Sequence, residues 1–320
     1  ASQVSYGTTE QLGDAATGTS TTTFGAARVH EVQLTELRPD TTYHYQVSTD
    51  DAVSEVNHFR TPKTPGQEAP LRLVAMSDMQ QDFRNPRVFA DLVLEGIVDF
   101  LLPRYGTDLS EVLDLILIPG DLVDNGLFLS QWRDTFFAPL APVSGQVPFY
   151  PVLGNHELDT DFYFKLLHLP ENGTDGYLEH WWYHDVSNLR VIGLDSNGRY
   201  QIPVQLDWLD DVLDDACDRA EIDFVFAQLH HPFKSELWLA GEADYTGEVV
   251  ERLEQFTERC HKPSIHFFGH THGYSRGQSR DHTHLWVNVA TSGGNIDHWG
   301  EFAQRDYDEF TVSQSEYGFV

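Results

Sequence analysis

Cysteine, methionine and lysine are scarce in this chain: of 320 residues, two are cysteine, two are methionine and four are lysine (Lys63, Lys165, Lys234 and Lys262). Basic charge as a whole is short, 20 Lys and Arg against 50 Asp and Glu, for a formal net charge of −30. Such a surface repels phosphate backbones and anionic lipid, which argues against nucleic acid and membranes as partners. Acidic, lysine-poor surfaces also suit concentrated salt, where a Debye length of about 3 Å at 1 M screens self-repulsion, so a halophilic or marine source is expected. These residues include no signal peptide, a segment that processing removes, and no run of about 18 apolar residues offers a membrane-spanning helix. No period of solenoid type recurs, and the Thr/Gly/Ser-rich stretch from Thr17 to Thr23 reads as a loop. Cys217 and Cys260 lie near the ends of predicted helices (204–219 and 247–260) that feed strands expected to be neighbours. A disulfide and two buried free thiols both remain open, the thiols being at least as common on base rates.

What the chain does have is an ordered series of short polar blocks: Asp78-Met79-Gln80, Gly120-Asp121, Gly154-Asn155-His156-Glu157, His230-His231-Pro232 and Gly269-His270-Thr271-His272. Each ends or follows an apolar run. The runs 71–78, 114–121, 147–152, 223–228 and 264–268 read as buried strands. In open α/β sheets ligands gather at the carboxyl ends of strands, where every block falls. Carboxylate, amide and imidazole donors placed there can hold two divalent cations. Two metals about 3.5 to 4 Å apart need a bridging carboxylate, and Asp121, behind a glycine that admits close backbone approach, is the natural bridge. Asp78, Gln80, Asp121 and His272 are assigned to one metal, and Asp121, Asn155, His230 and His270 to the other. Strand-like alternation along Gly269 to His272 would put both histidines on one side. The neutral amides of Gln80 and Asn155 keep the total negative charge low.

At these residues the chain resembles the calcineurin-like metallophosphoesterase superfamily, whose pattern runs DxH, GDxx, GNH[D/E], HxP and GHxH in this order. The resemblance covers about residues 71 to 300 and implies a four-layer αββα sandwich. It also implies hydrolysis of phosphoric esters by water activated between two metals (manganese, iron or zinc), with small phosphate esters as substrates. One departure is Gln80, where the family has histidine; its carbonyl oxygen can coordinate, but binds borderline metals less tightly than imidazole. The stretch 30–47, alternating apolar and polar residues around Pro39-Asp40, and 58–62 resemble the fibronectin III-like domain that precedes the catalytic domain of purple acid phosphatases. The segment Gly269 to Arg276 is similar to their GHxHxYxR. Those enzymes carry a tyrosine three positions after the bridging aspartate, where this chain has Asp124. A colourless relative is therefore expected, with Asp124 orienting ligands or acting as a weak ligand itself. Relatives with this domain pair are mostly exported. Compared with that domain the chain starts late, and 315–320 stops inside an expected strand, so the sequence reads as a fragment or processed form.

The expected division is 1–62 for the β-domain, 63–70 for a Pro/Gly-rich linker and 71–320 for the catalytic domain. His156 is the candidate for contacting phosphate or protonating the leaving group, against a plainer reading as a loop histidine satisfied by Glu157 or backbone. His231 is expected to point away from the metals. Tyr274 and Arg276 are either strand residues or part of the substrate rim. His168, His180, His184, His282, His284 and His298 lack ligand spacing, Trp181 and Trp182 read as core, and the acidic run 207–218 reads as the solvated face of a helix. The expected activity is phosphomonoester hydrolysis with Asp121 and His156 central. A phosphodiesterase or nucleotidase on the same site, or a binding protein with a degraded site, are the alternatives.

Overall fold

The computed structural model describes residues 2–22, 27–50, 52–67 and 69–320. Its first six strands, β1 (Ser2–Gly7), β2 (Asp14–Thr22), β3 (Arg28–Glu31), β4 (Thr42–Thr49), β5 (Ala52–Val53) and β6 (Asn57–Arg60), form one antiparallel sheet in the order β3-β2-β1-β4-β5, with β6 also on β4. The loop expected at Thr17 is instead the middle of β2, paired with β1 on one side and β3 on the other; Thr23 lies outside the described residues. Its threonines are β-branched and pack well on a pleat, so strand pairing overrides a composition that suggests a loop. The sheet meets the rest of the chain through polar contacts: Tyr45 Oη donates to the Gly145 carbonyl at 2.7 Å, and His58 Nε2 lies 2.9 Å from Asp108 Oδ1.

The remaining residues build two further sheets. β7 (Leu73–Ala75), β8 (Leu115–Ile118) and β9 (Phe149–Pro151) are parallel. β10 (Trp182–Val186), β11 (Leu189–Gly193), β12 (Phe224–Gln228), β13 (Ser264–Phe268), β14 (Tyr274–Gln278), β15 (Leu285–Val289) and β16 (Phe310–Gln314) form a mixed sheet in the order β10-β11-β12-β13-β15-β14-β16. Strand alternation explains how the layers stack. Along β11, Val191 packs into one core with Ile116 and Leu117 of β8, while Ile192 faces the other way, into a second core with Leu209 and Leu253. Leu209 and Leu253 belong to the helices Pro203–Asp218 and Asp244–Cys260, which cover that outer face. The irregular helical stretches 88–105 and 129–144 cover the outer face of β7 to β9 with Phe89, Ile97, Trp132 and Phe136. The result is a four-layer αββα arrangement preceded by a β-rich domain.

Trp181 and Trp182 are fully buried, one in each of the two cores. Residues 315–320 are not a strand, yet Val320 exchanges both backbone hydrogen bonds with Ala75 of β7. Cys217 and Cys260, at the ends of the two outer helices, form a disulfide with Cα atoms 5.4 Å apart. The free-thiol alternative is thus not realised. No helix among the described residues is long and apolar enough to cross a membrane.

Candidate metal centre

β7 and β8 run parallel and each is followed, three residues past its end, by an aspartate with a left-handed backbone, φ 60° at Asp78 and 54° at Asp121. Aspartate tolerates this conformation better than most residues. Two bonds across the strand ends hold the pair: Asp78 N–H donates to the Gly120 carbonyl at 3.3 Å, and Met79 N–H to the Asp121 carbonyl at 2.8 Å. Both carboxylates are buried and turned inward. The next loops bring the other donors to them. Gly154 packs so tightly that a Cβ there would lie 2.1 Å from Asp121 Oδ1 and 2.4 Å from its backbone nitrogen.

Around Asp121, His230 Nε2 lies 3.2 Å from Oδ2 and 3.0 Å from Asn155 Oδ1, and the Gln80 amide group lies 2.5 Å from Oδ2. One donor atom from each of Asp121, His230 and His270 falls within a sphere of 4.8 Å mutual distance. Around Asp78, His272 Nε2 lies 3.2 Å from Oδ1. All seven residues that the sequence nominates as ligands therefore come together, in two groups that meet at Asp121 and Gln80.

The orientation of the imidazoles is fixed from behind. His230 Nδ1–H donates to the Pro119 carbonyl at 2.9 Å and His272 Nδ1–H to the Asn295 carbonyl at 2.8 Å, which leaves Nε2 of each free to face the carboxylates. His270 and His272 do not sit on a strand as expected. They lie on the bend between β13 and β14, with His270 at φ 71°, and its backbone N–H donates to both oxygens of Asp78 at 3.1 Å. Backbone curvature, rather than strand alternation, turns both rings inward.

The charges are strongly coupled. Burial opposes the charged form of His230, but the neighbouring Asp121 carboxylate outweighs it and raises the group to about 10. Burial acts likewise on His272, and Asp78 raises it to about 9. Asp78 is pushed up by burial and pulled further down by His272 and His230, and ends well below the usual carboxylate range. His270 goes the other way: burial and the charge on His230 lower it to about 3, which keeps it a neutral donor. A cation entering here would displace protons from His230 and His272, so uptake is linked to pH.

The donor set fits a pair of divalent cations. It is made of carboxylate, amide and imidazole groups, the ligands that manganese, iron and zinc accept. Gln80 supplies the clearest sign, since its Oε1 is buried without a hydrogen-bond partner while its Nε2 faces Asp121. A half-turn of the amide exchanges the two atoms and aims the oxygen at the space that Asp121 faces.

His156 stands at the mouth, its side chain 35% exposed. Its backbone N–H donates to Asp121 Oδ1 at 3.0 Å and its Nδ1–H to the Asp124 carbonyl at 2.6 Å, leaving Nε2 free 3.9 Å from Asp121 Oδ2. Asp124 thus acts through its main chain, with its side chain exposed. His231 lies with its Nδ1 2.9 Å from Ser196 Oγ and its ring packed on that of His270, centroids 4.4 Å apart. Tyr274 and Arg276 are strand residues of β14, Arg276 exposed.

Three supporting residues escaped the sequence reading. Glu157 is fully buried and accepts the backbone N–H groups of Asp121, Leu122 and Gly154 at 3.0, 2.8 and 2.7 Å, tying two ligand loops together. Burial and the nearby Asp121 raise its carboxyl to about 8. Ser77 Oγ–H donates to Asp78 Oδ2 at 2.6 Å, and Asp297 accepts the His272 backbone N–H at 2.8 Å. Glu157 and Ser77 adjoin predicted ligands and were findable; Asp297 carries no local signal.

The sequence profile of the family described as Calcineurin-like phosphoesterase matches residues 71–274, and that described as Purple acid Phosphatase, N-terminal domain, matches residues 1–61. The chain is 25% identical over 269 residues to "Probable purple acid phosphatase 20" of Arabidopsis thaliana, covering 79% of this chain and 56% of that protein. It is 26% identical over 237 residues to a "Nucleotide pyrophosphatase/phosphodiesterase" of Hordeum vulgare, covering 68% and 63%. The chain therefore spans less than two thirds of the length of either relative. Among solved structures, a purple acid phosphatase from yellow lupin (Lupinus luteus) seeds superposes with a TM-score of 0.75 at 18% identity, covering 100% of this chain and 64% of that one.

Proposed function

Because the chain belongs to the calcineurin-like phosphoesterases, a family of dinuclear-metal hydrolases of phosphoric esters, we propose that it is a phosphomonoesterase. One observation carries this reading: donors from five separate loops gather around Asp121 and Asp78, among them Gln80, whose buried amide oxygen has no hydrogen-bond partner. Asp121 is taken as the shared ligand, with Asp78, Gln80 and His272 on one side and Asn155, His230 and His270 on the other. Two divalent cations so held would polarise a phosphoryl group and acidify water towards neutral pH.

The chain's own part is positioning and proton transfer. Glu157 holds the Asp121 and Gly154 loops at a set spacing. His156, anchored at Nδ1 by the Asp124 carbonyl, presents Nε2 at the open side, where its imidazolium form can stabilise phosphoryl oxygens and protonate the departing alkoxide. His156→Ala is expected to retain both metals and lose about 10²- to 10⁴-fold in kcat on p-nitrophenyl phosphate. Unchanged turnover would remove His156 from the mechanism.

The barley relative's name supports a phosphodiesterase or nucleotidase as the second reading. Comparing p-nitrophenyl phosphate with its bis ester separates the two, and no hydrolysis of either after Mn²⁺ addition would favour a binding protein. The same reading divides the chain into a fibronectin III-like module at 1–62, a connector at 63–70 and the catalytic part at 71–320. It expects no purple colour, because Asp124 offers no phenolate. It also places the protein in an oxidising, exported setting, supported by the disulfide, and takes neither nucleic acid nor anionic membrane as partner on account of the net charge of −30.

A further inference from the structure

Two of the three imidazoles nominated as ligands are anchored from behind by hydrogen bonds, and the third is not. His230 and His272 each give Nδ1–H to a backbone carbonyl. The His270 ring makes no hydrogen bond among the described residues; only its backbone N–H is bonded, to Asp78. What touches the ring is flat: His231 at 4.4 Å between centroids, His230 at 5.1 Å and Trp238 at 5.2 Å. His231, the nearest, is itself held by a side-chain hydroxyl, its Nδ1 lying 2.9 Å from Ser196 Oγ. Ser196 is fully buried, and its Oγ also accepts the backbone N–H of His230 at 3.1 Å and of His231 at 2.9 Å. A hydroxyl has two acceptor lone pairs and one proton to donate. With both lone pairs taken, the third contact is O–H donated to Nδ1, so His231 carries its own proton on Nε2. The next residue continues the brace: Asn197 Nδ2 donates to the Gly154 carbonyl at 3.3 Å, in the loop that carries Asn155.

We propose that Ser196 and His231 are positioning residues of the metal centre: the Ser196 hydroxyl locks the His231 ring, and that ring does for His270 what a backbone carbonyl does for His230 and His272. The inference rests on the dinuclear-metal reading above and deepens it. A ring free to turn loses rotamer freedom when it takes up a cation, whereas a ring already wedged has none left to lose. The effect is confined to the side of the centre formed by Asn155, His230 and His270, because Asp78, Gln80 and His272 touch neither Ser196 nor His231.

The test is calorimetric titration of the metal-free chain with Mn²⁺, in variants that leave every nominated ligand in place. His231→Asn keeps an acceptor near the position of Nδ1 but removes the ring, His231→Phe keeps a flat ring but removes the acceptor, and Ser196→Ala removes the hydroxyl. One Mn²⁺ equivalent is expected to bind roughly 10- to 100-fold more weakly in His231→Asn and Ser196→Ala, the loss typical of groups that support a ligand, with the other equivalent unchanged. His231→Phe should keep most of the affinity. Imidazole ¹⁵N spectra of the metal-free protein should show the His231 proton on Nε2 alone, and a mixture of both tautomers in Ser196→Ala. Unchanged affinity in His231→Asn, equal weakening of both equivalents, a proton on Nδ1 of the unaltered protein, or no Mn²⁺ uptake by it would overturn the proposal. If the affinities shift as expected but neither p-nitrophenyl phosphate nor its bis ester is hydrolysed, the phosphomonoesterase reading fails and the positioning role stands.

Discussion

At the level of single residues, the centre depends on positions where almost nothing else fits. Asp78, Asp121 and His270 all hold positive φ, a strain of roughly 1–3 kcal/mol each that surrounding hydrogen bonds hold in place. Gly154 is the tightest of the supports, with Asp121 backbone and carboxylate both inside the space of a Cβ. Gly154→Ala is expected to destabilise the fold by about 1–3 kcal/mol, as overpacking does, and to lower metal content below two equivalents. Urea denaturation together with metal analysis checks both, and a variant of normal stability and stoichiometry would show that the loop can give way. Residue identity was legible here because a rare combination of donors recurs in short blocks. Gln80 shows what was not: its type suggests a weak ligand, while only the surrounding burial reveals that its oxygen has no other partner.

Among the elements, the parallel strands β7, β8, β9, β12 and β13 were readable as short apolar runs; β12 and β13 all but fill theirs, while β7, β8 and β9 are each a few residues shorter, because chain leaving the sheet stays buried beneath the ligand loops. The two outer helices were readable as well, expected at 204–219 and 247–260 and found at Pro203–Asp218 and Asp244–Cys260. The bend holding His270 and His272 was not, since Asp78, which follows a strand of the other sheet, accepts the His270 N–H. Nor was β2, whose threonines become a strand only when β1 and β3 flank them. The disulfide is likewise an element-level outcome: it joins the carboxyl ends of two helices, at the edge of the sheet where β12 and β13 begin and the ligand loops do not. Closing a separation of 43 residues, it should contribute about 4 kcal/mol by restricting the unfolded chain. The double variant Cys217→Ser/Cys260→Ser is therefore expected to lose about that much unfolding free energy while hydrolysing p-nitrophenyl phosphate at an unchanged rate at 25 °C. A drop in turnover under conditions where the variant is folded would contradict the separation of the two edges.

For the molecule as a whole, charge is the dominant feature. An excess of 30 negative charges repels itself at low ionic strength, and salt screens that repulsion more effectively than it weakens buried pairs such as Arg190 with Asp185. Thermal melting in 0.05 M and then 2 M NaCl should show a rise of several degrees, and a flat or falling Tm would remove the argument for adaptation to salt. Composition, the order of the metal-binding blocks and the apolar runs were decided locally, because charge, donor type and strand-forming tendency are properties of the residues themselves. The sequence thus determined the class of fold, the acidic character and which donor residues the strand ends carry. Only the tertiary structure decided that Cys217 meets Cys260, that Glu157 braces two loops instead of bonding His156, and that Trp238 packs against His270. Each of those depends on which distant segments pack together, and the spacing of residues along the chain carries no record of it.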